Sequence, residues 1–189
     1  MTAPVVFASN HQSHFDVPVI LIALPGKIRA TIAPAMAKEF FKAHFFPEDF
    51  SARQVFTNRL NYYLSAFFFN TFPLPQREAG ARQTLRYIGE VTGDGFSVLI
   101  FPEGARSESG NMKPFRGGIG MIGSRLDLPV VPVRIDGADR VLHTSWKWPK
   151  PGPVSVTFGA PMRLSGDNYA DLAQQVEQAV RDLPTAPAK

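Results

Sequence analysis

The run Asn10-His11-Gln12-Ser13-His14-Phe15-Asp16 sets an imidazole and a carboxylate five residues apart. Further along, Phe101-Pro102-Glu103-Gly104-Ala105-Arg106-Ser107 gathers a carboxylate, a glycine and a guanidinium into one loop-like segment. A histidine oriented by a carboxylate is a general base for a hydroxyl or a water. Arg106 offers a planar fork of donors that suits phosphate or carboxylate, and Gly104 lets a ligand approach the backbone closely. Lys113 and Arg116 follow within ten residues of Arg106 and extend it into a basic lip. His11 and His14 are also the side chains a metal would choose, but no further His/Asp cluster lies nearby in sequence, so no metal is expected.

Positions five apart stand about 140° from each other on a regular helix, so His11 and Asp16 meet only if His11 stays in a turn while Asp16 enters the helix. Ser13-x-x-Asp16 is also a capping box, in which Asp16 satisfies backbone donors at the helix start, and taken alone the spacing favours that cap. The elements around both runs suit a ligand site. Val5 to Ala8 reads as a strand and Val17 to Leu24 as a helix stopped by Pro25-Gly26. Ser97 to Phe101 is a buried strand that delivers the Pro-Glu-Gly loop, and ligands of open α/β sheets sit at such strand ends.

Lys27 to Ile32 is expected to form a second strand, Lys38 to Asn70 helices broken near Pro47, and Arg77 to Glu90 an amphipathic helix. Arg116 to Leu126 suits a Gly-rich helix whose Gly117-Gly118-Ile119-Gly120 lacks the spacing and preceding strand of a dinucleotide site. Pro129 to Ile135 and Val154 to Phe158 read as strands, Trp146 to Pro153 as a loop and Asp171 to Leu183 as a closing helix. Strands alternating with helices imply an α/β fold: a mixed, mostly parallel sheet flanked by helices on both faces. With 189 residues, 44% of them hydrophobic, and no repeat or linker, a single domain over residues 1–189 is expected.

Composition narrows the function classes. The chain has no cysteine, which excludes disulfides, thiol nucleophiles and Cys-bound zinc. Twenty Lys+Arg against sixteen Asp+Glu give a net charge of +4, a mild lean toward anionic partners without the basic runs of a nucleic-acid binder. Ten of the sixteen Phe fall between Lys38 and Phe72. The uncharged stretch between Arg59 and Arg77 is too short and too interrupted by Asn and Pro to span a bilayer, so any membrane contact is peripheral.

The ordered set of motifs resembles the glycerophosphate and lysophospholipid acyltransferase family. Its Asn-His-x-x-x-x-Asp block is met by Asn10, His11 and Asp16, and its Phe-Pro-Glu-Gly-Thr-Arg-Ser block by residues 101–107, with Ala105 in place of Thr. Phe72 to Arg77 is similar to the block that ends in Arg, and Val130-Val131-Pro132-Val133 to the apolar pair before Pro. The resemblance implies a glycerol-3-phosphate acyltransferase-like fold and an O-acyltransferase, 1-acylglycerol-3-phosphate acyltransferase-like. The acyl group would pass from acyl-CoA or acyl carrier protein to a hydroxyl of a glycerol-phosphate or lysophospholipid acceptor, with no cofactor.

In that reading His11 is the base and Asp16 holds its tautomer, while Arg77 and Arg106, with Glu103 and Gly104 shaping the loop, clamp the acceptor's phosphate. Ser13, or backbone donors of the first helical turn, are candidates for the oxyanion, and Lys113 and Arg116 for secondary contacts. The Phe-rich segment with Lys38, Lys42, Arg53 and Arg59, and the Trp146-Lys147-Trp148 loop, suit a surface that admits acyl chains from a bilayer, or equally the lining of an apolar tunnel. The expected place is the cytoplasmic face of the cell membrane. Many members carry a helical segment ahead of the His/Asp block, so this chain is expected to be an excised or fused domain with an acyl-activating neighbour. Thioester hydrolysis and a catalytically silent lipid-binding module are the alternative functions.

Overall fold

The computed structural model describes residues 3–37, 42–69, 71–74, 80–107, 111–142 and 148–185. Six strands form its sheet: β1 (Val6–Ser9), β2 (Ile32–Ala37), β3 (Phe72–Leu74), β4 (Ser97–Ile100), β5 (Val130–Asp136) and β6 (Ser155–Phe158). Their order is β3-β2-β4-β1-β5-β6, all neighbours parallel except the β5–β6 pair. The central strands β1 and β4 are buried at every position, which is why Val6-Phe7-Ala8 and Val98-Leu99-Ile100 are unbroken apolar runs rather than alternating ones.

Successive residues of each strand serve opposite faces. Val6, Ala8, Val98, Ile100 and Val130 join one apolar cluster with Ile119, Ile122, Leu172 and Val176, from helices α6 (Gly118–Arg125) and α8 (Tyr169–Arg181). Ile88 of α5 (Ala81–Gly93) belongs to the same cluster. Phe7, Leu99, Val131, Val133 and Ile135 join the other cluster, with Ile20 and Leu21 of α1 (Asp16–Ala23) and Ala138 of α7 (Ala138–Val141). The sheet is therefore covered on both faces, as the alternation of elements implied. Gly120 makes the α6–α8 contact possible: a Cβ there would lie 2.5 Å from the Tyr169 carbonyl oxygen.

Two local readings are corrected. Lys27 to Ile32 is not a strand; Gly26–Arg29 forms a single helical turn, α2, with the amides of Ile28 and Arg29 bonded to the Pro25 carbonyl. Its charged Lys27 and Arg29 stay in solvent, and the strand begins at Ile32, the first residue to register against β4, opposite Ser97. Phe72–Leu74, a stretch containing Pro73, is an edge strand beside β2, where proline is tolerated. The amphipathic helix starts at Ala81, after Gly80 as its cap. The aromatic segment does break near Pro47, into α3 (Lys42–Phe45), a 3-10 turn at Pro47–Asp49, and α4 (Ala52–Phe69).

Strand order decides where the chemistry gathers. From β1 the chain turns into α1 on one face and returns at β2; from neighbouring β4 it passes to α6 on the other face and returns at β5. The carboxyl ends of β1 and β4 thus sit side by side, with Ala8 registered on Ile100, and their loops part to opposite faces. A crevice at such a divergence is where open α/β sheets bind ligands.

Candidate active site

His11 leaves β1 in a turn, and Asp16 is the first residue of α1. His11 Nδ1 lies 2.6 Å from Asp16 Oδ2. The same oxygen accepts from the backbone N–H of Gln12 at 2.6 Å and of Ser13 at 2.9 Å. An oxygen that accepts from two backbone donors is an acceptor toward the ring as well, so Nδ1 carries the proton and Nε2 keeps its lone pair. The Asp16 side chain is fully buried while the His11 side chain keeps 17% exposure, so the carboxylate is sealed behind an imidazole that reaches toward the crevice. The capping-box expectation is corrected: α1 starts at Asp16 with Phe15 in the cap position and no side-chain cap bond, so the carboxylate ties down the Gln12–Ser13 turn ahead of the helix and fixes the tautomer.

Several contacts clamp the turn itself. Asn10 donates its amide to the Ile135 carbonyl at 2.9 Å and accepts the Ile135 N–H at 2.7 Å, stapling the end of β1 to β5. Gln12 Oε1 accepts the Ala138 N–H at 3.2 Å. Phe101, the residue after β4, stacks on the His11 ring with centroids 4.1 Å apart and planes 22° apart. Ser107 donates its N–H to the His11 carbonyl at 2.9 Å.

Glu103 is buried, and each of its oxygens has one backbone partner: His11 N–H at 2.8 Å and Lys113 N–H at 2.9 Å. Burial pushes its carboxyl up from the ordinary value, and these two bonds, with the Lys113 charge, oppose that shift. Its role in the fold is to brace the histidine turn against the loop rather than to face a ligand. Gly104 has φ +74, and a Cβ there would come within 2.5 Å of the Arg116 guanidinium carbon, so Arg116 lies directly against the glycine backbone. Lys113 donates its ammonium to the Arg106 carbonyl at 2.7 Å, holding that backbone from behind. Ala105, the departure from the family block, is exposed.

Arg106 is half-buried at the mouth, its Nη1 3.0 Å from His14 Nε2. Burial lowers its pKa from the ordinary arginine value, opposed by the Asp16 charge. A guanidinium beside His14 also disfavours a cation there, and among the described residues no group of three or more His, Asp or Glu is placed to hold a metal. Ser13 is buried, accepts the Phe15 N–H and donates its hydroxyl proton to the Leu142 carbonyl at 2.6 Å. That proton, like the Gln12 and Ser13 N–H groups held by Asp16, is already engaged and is not on offer to an oxyanion. Arg77, Lys38 and Trp146 lie outside the described residues.

The sequence reading missed Phe101 as the surface beneath the imidazole, Gln12 as a brace and His14 as the partner of Arg106. Nothing local signals these three, because each acts through a residue distant in sequence.

The acyltransferase family model matches residues 2–136. The human 1-acyl-sn-glycerol-3-phosphate acyltransferase beta is 26% identical over 183 residues, covering 96% of this chain and 59% of that protein. A coconut (Cocos nucifera) 1-acyl-sn-glycerol-3-phosphate acyltransferase is 34% identical over 71 residues, 35% of this chain and 22% of the relative. The chain thus spans less than two thirds of the length of these relatives. The crystal structure of the Thermotoga maritima 1-acyl-sn-glycerophosphate (LPA) acyltransferase PlsC superposes with a TM-score of 0.68 at 24% identity, covering 96% of this chain and 65% of that one. That likeness extends to the fold, and the family match reaches from the histidine turn through the Pro-Glu-Gly loop to the end of β5. The chain belongs to the acyltransferase family.

Proposed function

We propose that the chain transfers a fatty acyl group from a thioester, acyl-CoA or acyl carrier protein, to a hydroxyl of a glycerol-phosphate or lysophospholipid acceptor, with 1-acylglycerol 3-phosphate as the first acceptor to test. The observation that carries this reading is the His11–Asp16 contact of 2.6 Å with the Arg106 guanidinium on the same turn's His14. It sets a base and a phosphate-binding fork at one strand-end crevice.

His11 Nε2 takes the proton of the acceptor hydroxyl as its oxygen attacks the thioester carbonyl carbon. The carbonyl electron pair moves to oxygen, then returns as the carbon–sulfur bond breaks, and the His11 imidazolium passes its proton to the departing thiolate. Asp16 stabilises the transient imidazolium through Nδ1, a role worth most because its carboxylate is sealed from water. Arg106, with Arg77 from the second block, holds the phosphate so that the hydroxyl stands near the thioester, converting a bimolecular encounter into a positioned one. No acyl-enzyme is needed, since the acceptor supplies the nucleophile.

Thiol release from palmitoyl-CoA, measured with and without glycerol 3-phosphate, lysophosphatidate or lysophosphatidylethanolamine, tests the reading. Release that requires one acceptor is expected. Acceptor-independent release would replace it with thioester hydrolysis, and no release with any acceptor would favour a silent lipid-binding module.

The same reading places the chain on a membrane surface. Phe56, Leu60 and Tyr63 share one face of α4 and are 69%, 47% and 60% exposed, flanked by the exposed Arg53 and Arg59. No helix among the described residues is long and apolar enough to cross a bilayer. Co-sedimentation with vesicles containing anionic lipid should be retained by the parent chain and weakened several-fold by Phe56→Glu. Equal recovery of both in the supernatant would remove α4 from the membrane-facing surface.

A further inference from the structure

We propose that His14 is a positioning residue for Arg106: its neutral imidazole holds the guanidinium at the site mouth, and protonation of His14 releases it. The proposal rests on the reading of Arg106 as a ligand of the acceptor's phosphate. The geometry assigns the roles within the pair. A guanidinium has donors and no acceptor, so at 3.0 Å Nη1 donates and His14 Nε2 contributes its lone pair. Among the described residues, Arg106 is held at its carbonyl by the Lys113 ammonium and at its side chain by His14. A long, rotamer-rich side chain fixed before the ligand arrives loses less entropy on binding.

The histidine that does this belongs to the turn that carries the base. His11, His14 and Asp16 lie within six residues, so holding Arg106 on His14 fixes the distance from the phosphate to the proton acceptor. His14 is exposed, open to protons from solvent. Among the described residues the titratable and charged groups facing it are Arg106 from the loop after β4, and His11 and Asp16 from its own turn. Partial desolvation of the ring by its neighbours, then the charges of Arg106 and His11, hold it below the ordinary histidine value, with Asp16 opposing. It is therefore neutral at neutral pH. As pH falls through that lowered value, Nε2 gains a proton, can no longer accept from Arg106, and two adjacent cations repel.

The test is steady-state kinetics with lysophosphatidate for the wild-type chain, His14→Gln, His14→Ala, Arg106→Ala and the double variant, from neutral to acid pH, with thermal melts to confirm folding. His14→Ala should raise the acceptor KM about tenfold, with a smaller effect on kcat, as expected for losing a hydrogen bond to a charged group. Gln, whose amide oxygen accepts in place of Nε2, should restore most of it. In the Arg106→Ala background, His14→Ala should add nothing further, because its effect runs through the missing side chain. Toward acid pH the wild-type KM should rise more steeply than that of His14→Gln; the titration of the substrate phosphate is common to both.

An unchanged KM in His14→Ala, additive effects in the double variant, or identical pH profiles for wild type and His14→Gln would overturn the role of His14 while leaving the function standing. A wild type without acceptor-dependent transfer, or an unchanged KM in Arg106→Ala, would overturn the reading of Arg106 itself, and this proposal with it.

Discussion

Replacing His11 with alanine should lower kcat for acceptor-dependent transfer by ~10²- to 10⁴-fold while the chain still melts cooperatively. The ring's fold contacts are the stack on Phe101 and the bond to Asp16, and Asp16 would keep its two backbone donors. The loss of stability should therefore stay near about 1–2 kcal/mol. The companion variant Asp16→Asn separates orientation from charge. An amide that keeps its oxygen on the Gln12 and Ser13 N–H groups also keeps accepting from Nδ1, so geometry and tautomer survive and what is lost is the negative charge that stabilises the imidazolium. A fall of ~10²- to 10³-fold in kcat is expected, with the acceptor KM little changed. His11→Ala retaining activity within about tenfold of the parent would mean that the base lies elsewhere.

Glu103→Gln should act on both stability and turnover, although the Glu103 carboxylate is spent on backbone donors. Each carboxylate oxygen receives one backbone N–H, from His11 and from Lys113. Glutamine keeps one acceptor and turns an NH2 against the other donor, leaving a buried N–H facing N–H. The expected cost is about 2–3 kcal/mol, which for a chain of this size lowers the melting temperature by roughly 4–12 °C. Because one of the two bonds fixes the main chain of His11, kcat should fall with stability, by about tenfold or more. A variant that melts like the parent and turns over normally would show that the histidine turn is held by its Asn10, Gln12 and Ser107 contacts alone.

The sequence by itself determined the chemistry-bearing residues and their local setting. The apolar runs at Val6 and Val98 declared buried strands, and the turn residues after each declared loops at strand ends. Ser13-x-x-Asp16 announced a nearby helix start, although α1 begins at Asp16 with Phe15 in the cap position, and the Asp16 carboxylate binds the N–H groups of the turn before it. Such features are written in periodicity and in hydrogen bonds spanning a few residues, which a local pattern can carry. The same patterns misled at Lys27 to Ile32, because a four-residue helical turn and a short strand share one composition, and only the register of Ile32 against Ser97 decides between them.

Tertiary structure alone decided what those residues do together. His11 and Glu103, and likewise His14 and Arg106, are 92 positions apart, and Asn10 and Ile135 are 125 apart. Their meeting depends on β4 lying beside β1 with Ala8 opposite Ile100, a choice of neighbour that no window of sequence contains. It is also why Ser13, which reads in sequence as a helix cap or an oxyanion donor, spends its proton on Leu142, 129 residues away. Side-chain type is a property of the chain, whereas which donor is already engaged is a property of the packing, and the packing is fixed by strand order.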